Sequence, residues 1–208
     1  MGKDVNVEIT IEVKGLKELM NKLQAFPKAM KKAERSAVDT TATAVKNLAI
    51  NEATRLYNIK ETKRLTKDSR GHDTIYVKRS TQTASIAVVT FKGGSNAKSG
   101  DRPGLQHFAT NKPPAKRKKG WEPTYKIKRS GGSKSIPRGF YGEGKLKGQG
   151  IFQRKADGSN KIVRRTGIGM KQIAESKEVL LRIQNEGQAL LKKKMGEAIK
   201  KQIEKMKG

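Results

Sequence analysis

Cysteine is absent from the 208 residues. That excludes disulfides, thiol nucleophiles and thiolate metal sites, and it fits assembly in a reducing compartment. Aromatics are scarce, at 5%, and hydrophobic residues make up 34%, below the ~45–50% usual for globular chains. Any core must therefore be thin relative to the surface. No window approaches the ~20 apolar residues that a membrane span requires. The opening Met1-Gly2-Lys3-Asp4 carries no apolar stretch suited to secretion. Asn6 stands where a myristoylation motif wants Ser or Thr.

Acidic residues are the other scarcity. Nineteen Asp and Glu face 47 Lys and Arg, a formal charge of +28. Self-repulsion on that scale opposes compaction, and a polyanion or acidic neighbours normally screen it. Nucleic acid is the expected partner class.

Residues 4–13 alternate strictly. Val5, Val7, Ile9, Ile11 and Val13 fall on one side and Asn6, Glu8, Thr10 and Glu12 on the other, which predicts a half-buried strand. Leu16, Leu19, Met20 and Leu23 then recur at helical spacing. Phe26-Pro27 interrupts them, and Pro suits the first turn of a new helix. The stripe Met30, Ala33, Ala37, Thr41, Ala44, Val45 and Leu48 predicts a helix of about 30 residues, roughly 45 Å long. Its small side chains admit close backbone approach. Ala33, Ala37, Thr41, Ala44 and Leu48 are accordingly expected to pack against a neighbouring subunit.

Short strands are expected at Ile75–Val77 and Ala84–Phe91. The second is nearly continuous apolar, as in a strand covered on both faces; Thr81-Gln82-Thr83 would turn between them. Residues 92–165 differ in kind, with 13 of the 21 glycines, 5 of the 6 prolines, and 20 Lys or Arg against 4 acids. Strand candidates within them are Tyr125–Lys128, Gly150–Arg154 and Lys161–Arg165. The rest is expected to form extended basic arms on a single domain spanning 1–208, the first arm at about 93–123. A final amphipathic helix is predicted over Ser176–Met206, with Ser176 as N-cap and Glu178 in the first turn. Its lysines are expected to be solvated. The fold class is therefore α+β: a mostly antiparallel sheet flanked by one long N-terminal and one long C-terminal helix.

The sharpest local feature is Lys116-Arg117-Lys118-Lys119 followed by Trp121, the sole tryptophan. A basic run beside an aromatic suits phosphate contact with a stacking group, and equally suits docking into an acidic groove with Trp121 as anchor. Lys126, Lys128 and Arg129 extend the same candidate surface. Gly167-Ile168-Gly169 lacks the third glycine of a dinucleotide fingerprint, and Gly139-Phe140-Tyr141-Gly142 lacks the Lys-Ser/Thr of a phosphate loop; both are expected to be turns. His72 and His107 have no zinc-site context. Asp68, His72 and Asp73 suggest a nuclease cluster, but no further paired carboxylates accompany them. No catalytic constellation is expected, and no cofactor, metal or small-molecule substrate. Zinc-finger, helix-turn-helix and RRM signatures are missing, so any nucleic-acid contact should be sequence-nonspecific.

Several stretches, taken in order, resemble the prophage minor tail protein Z family. They are Gly15-Leu16-(x2)-Leu19, the Pro-started helix Phe26-Pro27-Lys28-Ala29-Met30 through Ala53, and the basic Lys60–Arg70. Ser135-Ile136-Pro137-Arg138-Gly139-Phe140 and Ile151-Phe152-Gln153-Arg154-Lys155 follow, and then a basic strand entering the last helix. The resemblance spans roughly 15–90 and 133–206; the strand Val5–Val13 is longer than the family's start, and the arm at 93–123 has no counterpart in it. The resemblance implies a structural virion protein of a phage tail. That protein would be a ring-forming neck or tail-completion component, sixfold in symmetry, at the head-proximal end. Its partners would be other tail and neck proteins and double-stranded DNA in the channel, and its location the virion, after assembly in host cytoplasm. The alternative is a cellular, sequence-nonspecific nucleic-acid-binding protein of ribosomal or nucleoid type.

Overall fold

The computed structural model describes residues 7–12, 27–68, 71–92, 102–112, 121–146, 150–155 and 161–207. The chain is α+β and divides into two compact units. The first, called the helical unit below, comprises Asn6–Asn51, Ile75–Lys92 and Ala174–Gly208. The second, the basic unit, comprises Met1–Val5, Glu52–Thr74 and Gly93–Ile173.

In the helical unit, β1 (Val7–Glu12), β2 (Ile75–Lys78) and β3 (Ile86–Phe91) form an antiparallel sheet ordered β1-β3-β2. The register sets Ile9 against Val89 and Ile11 against Ala87, and Ile75 against Phe91. Directly paired residues share a face, so Ile11, Ala87, Val89, Phe91 and Ile75 make one buried surface. The other face stays wet: Ile86 and Tyr76 are exposed, and Lys92 Nζ sits 4.0 Å above the Tyr76 ring. The apolar run of β3 predicts cover on both faces, whereas the strand is covered on one. Such a run fixes strand type but not which side the helices occupy.

Helix α1 (Pro27–Leu56) runs 30 residues from the proline that starts it, as the apolar spacing predicts. Its inner stripe in the helical unit is Ala33, Ala37, Val38, Thr41, Ala42, Val45 and Ala49, each at most 1% exposed. The C-terminal helix, numbered below after two short ones, spans Lys177–Lys207. From it Met195, Ala198 and Ile199 close over Ala33 and Ala37, with Met30, Leu191 and Ile203 at the edge. Gly187 lies inside this helix, where glycine costs about 1 kcal/mol relative to alanine. A Cβ there would come within 3.2 Å of Val45 Cγ2, so the glycine lets the two helices approach. Asp39 Oδ1 accepts from the Ser80 N–H (2.7 Å), and Glu34 Oε2 accepts from Ser85 Oγ (3.1 Å). These bonds tie α1 to the β2–β3 connection.

The basic unit holds α2 (Lys63–Thr66), the short strands β4 (Thr124–Tyr125) and β5 (Lys134–Ser135), and a three-stranded antiparallel sheet. That sheet orders β6 (Gly139–Tyr141), β7 (Ile151–Arg154) and β8 (Ile162–Arg164) as β6-β7-β8. Helix α3 (Met170–Ala174) ends at the unit's border, and the C-terminal helix is α4. The core includes Tyr57, Leu65, Phe108, Ile151, Met170 and Ile173.

Part of the expected arm at 93–123 is core instead. Leu105 and Phe108, in a turn of 3-10 helix at Leu105–Phe108, are buried, as is Ala109. The Leu105 N–H donates to the Arg165 carbonyl (3.0 Å), Gly167 N–H to Pro103 (2.8 Å), and Lys126 N–H to Phe108 (2.9 Å). A side chain on Gly167 would overlap the Phe108 ring. Three apolar side chains and a ladder of backbone bonds suffice to fix 102–112, because a buried, paired backbone need not draw its stability from a partner. The predicted helix around Leu16–Leu23 and the run Lys116–Lys119 lie outside the described residues.

Candidate nucleic-acid interface

The basic unit carries the charge asymmetry. Over 121–173, thirteen Lys and Arg stand against three acids. Lys128, Arg129, Lys134, Arg138, Arg154 and Arg165 are all exposed.

Arg138, Arg154 and Arg165 are positioned by the β6-β7-β8 sheet and the turn that enters it. The turn into β6 is Ile136-Pro137-Arg138-Gly139, closed by the Gly139 N–H donating to the Ile136 carbonyl (2.8 Å). Pro suits the second position of such a turn, and the third demands a left-handed backbone. Arg138 occupies it, at φ 58°, where glycine or asparagine is favoured. The following residue must be glycine for a different reason, since a Cβ there would lie 2.8 Å from the Ile136 carbonyl oxygen. Glu122 Oε1 accepts from the Arg138 N–H (3.0 Å) and helps hold the turn.

The register pairs Phe140 with Phe152, and Phe152 with Arg164. With Arg154 and Ile162, two residues further along their strands, these side chains line one face. The Phe140 and Phe152 rings stack 6.1 Å apart, and the Arg154 guanidinium lies 5.7 Å from the Phe140 centroid. On the opposite face Gln153 accepts from Arg165 Nε (2.6 Å) and donates to the Pro137 carbonyl (2.7 Å). There a cavity of about 680 Å³ opens, lined by Leu105, Tyr125, Ile136, Gln153 and Arg165 among others. Among the described residues no nucleophile stands beside a base in that lining.

The residues singled out from sequence are distributed unevenly. Trp121 is half-buried, its ring 5.8 Å from that of Tyr141, whose hydroxyl donates to the Asn111 carbonyl (3.2 Å). Burial raises the Tyr141 pKa, so the phenol stays a donor. Lys126 is half-buried and Lys128 exposed, the latter bridged to Tyr57 by its backbone. Arg129 serves the end of α1. Its N–H donates to the Leu56 carbonyl (2.8 Å) and its Nε to the Thr54 carbonyl (3.0 Å). It thereby satisfies two of the last four carbonyls and places a cation at the negative helix terminus.

Ala33 and Ala37, assigned from sequence to a subunit interface, pack within the protomer and leave no surface for a neighbour. Thr41 is likewise buried, and Ala44 and Leu48 are half-buried. The sheet arginines Arg138, Arg154 and Arg164 were not singled out. The available signal was a Pro-Arg-Gly turn beside alternating aromatic and basic residues in Phe152-Gln153-Arg154.

Asp68, read as one member of a possible nuclease cluster, organises its own loop. Its Oδ1 accepts from the His72 N–H (2.9 Å), and Oδ2 lies 3.2 Å from His72 Nδ1. Asp73 pairs with Lys67 at 2.9 Å. Among the described residues no three His, Asp or Glu gather to hold a metal, and no helix is long and apolar enough to cross a membrane. His107 is partly buried, which lowers its pKa, and Arg64 nearby lowers it further.

No protein-family model matches the chain. No curated protein matches it, and no solved structure does.

Proposed function

We propose that the chain is a structural, non-enzymatic component of a bacteriophage tail. In this reading it is a ring-forming neck or tail-completion protein at the head-proximal end, which supports head–tail joining and DNA passage. The observation that carries the reading is the one-sided charge of the basic unit's exposed strands and turns. Cations there lower the cost of bringing phosphate through a confined space, without base readout. The order of motifs resembling the minor tail protein Z family supports the more specific assignment.

A ring needs a heterologous interface that closes on itself. Because Ala33 and Ala37 are used within the protomer, that interface must draw on other surfaces, of which half-exposed Leu181 is one apolar component.

In vitro complementation tests the reading. Particles assembled without this protein should accumulate as filled heads and separate tails, and adding the purified chain should join them. Joined, infectious particles formed in its absence would contradict the assignment. They would leave the cellular nucleic-acid-binding alternative, which the same charge favours.

A further inference from the structure

We propose that the Phe140–Arg154–Arg164 face of the β6-β7-β8 sheet, with Arg138 at its entrance, is a phosphate-backbone contact surface for duplex DNA. The inference rests on the nucleic-acid reading above and gives it a location.

Three observations carry it. The strands β6, β7 and β8 contain no acidic residue, and among the described residues no carboxylate pairs with the side chains of Arg138, Arg154 or Arg164. Among the described residues, the acidic group recorded at these arginines is Glu122, bonded to the Arg138 N–H rather than to a guanidinium, so the three guanidinium groups are open to a bound anion. Second, the Arg154 guanidinium lies over the Phe140 ring, 5.7 Å from its centroid. At that distance it is within cation–π reach, and its N–H groups can still donate to phosphate oxygens. Third, Arg138 occupies a left-handed backbone position that glycine would fill without strain. Arg138 there places an exposed cation in the turn that enters β6.

The same geometry selects the binding mode. Phe152 is buried, and Phe140 is half-buried with Arg154 over it, so neither ring is an exposed platform for unstacked bases. The contact is with backbone, and it is indifferent to sequence. Only one exposed aliphatic side chain among the described residues, Ile162, shares the face, too little apolar surface to anchor a protein partner.

Fluorescence anisotropy of the full chain with a labelled duplex, from about 50 to 200 mM salt, tests this. Each phosphate contact contributes about −0.9 to the slope of log K against log salt. Arg138→Gly with Arg154→Gln should flatten the slope by about two and weaken binding at least about tenfold at the lowest salt. A control triple variant on exposed α4 lysines, Lys192→Gln, Lys193→Gln and Lys200→Gln, should retain the wild-type slope. Arg154→Gln alone should flatten it by about one, which keeps the test sound if the double variant folds poorly.

Wild-type binding with an unchanged slope in the sheet variants would overturn this surface and leave the functional reading standing. Failure of the wild-type chain to bind duplex at all would overturn both. Displacement of DNA by polyglutamate at lower charge concentration than by unlabelled duplex would overturn the choice of nucleic acid in favour of an acidic protein.

Discussion

Thr41→Val should stabilise the protein, and the expected size follows from its surroundings. Thr41 is fully buried on the inner stripe of α1, and its Oγ1 has no hydrogen-bond partner among the described residues. Its neighbours behave differently: Thr40 and Thr43 each donate to the carbonyl four residues back, Ser36 and Asp39 respectively. A buried hydroxyl without a partner costs about 1–3 kcal/mol. Valine keeps the β-branched shape and nearly the same helix propensity, while its second methyl gains up to about 0.8 kcal/mol of burial. Discounting for imperfect fit of that methyl, the net stabilisation should be about 1–2 kcal/mol. In urea the unfolding midpoint should rise with the m-value unchanged. In a single thermal transition the gain corresponds to about 2–8 °C. Thr43→Val, exposed and already bonded, should give no gain. Equal or lower stability of the Thr41 variant would refute the reasoning, because it would mean the hydroxyl is satisfied and the stripe is not dry.

Ala37→Leu places three extra carbons where Met195, Ala198 and Ile199 close over the helix. It should lower stability by about 1–3 kcal/mol, whereas Ala44→Leu at a half-buried position should cost less; an Ala37→Leu melt unchanged from wild type would contradict the close packing of that face. His107 titrates below its ordinary value because of burial and Arg64. The unfolded chain therefore takes up its proton first as pH falls through about 6.5, and stability declines from there towards the lower folded pKa. Urea midpoints of wild type and His107→Gln should differ in slope over that window and run parallel above it.

The long elements were legible because their signals are local and redundant. Pro27 marks the start of α1, and the Ala-rich spacing carries it to Leu56. Ser176 directly precedes α4. Alternation in Val7–Glu12 is enough to fix which side of β1 faces in. Illegible features depend on distant partners. Two-residue strands such as Thr124–Tyr125 have no period to detect. The anchoring of 102–112 depends on the carbonyls of Arg165 and Thr124 and on the space left by Gly167. Charge gave a similar lesson in the candidate site. Composition marked the region as basic, but could not tell that Arg129 is bound to carbonyls of α1 while Arg154 lies over an aromatic ring.

The most direct test of the central proposal is the position of the protein in an assembled particle. Electron microscopy of phage particles carrying a tagged copy of this chain should show the tag in a closed ring at the head-proximal end of the tail, encircling the DNA path. A tag at the distal end, or particles lacking the chain altogether, would contradict the account.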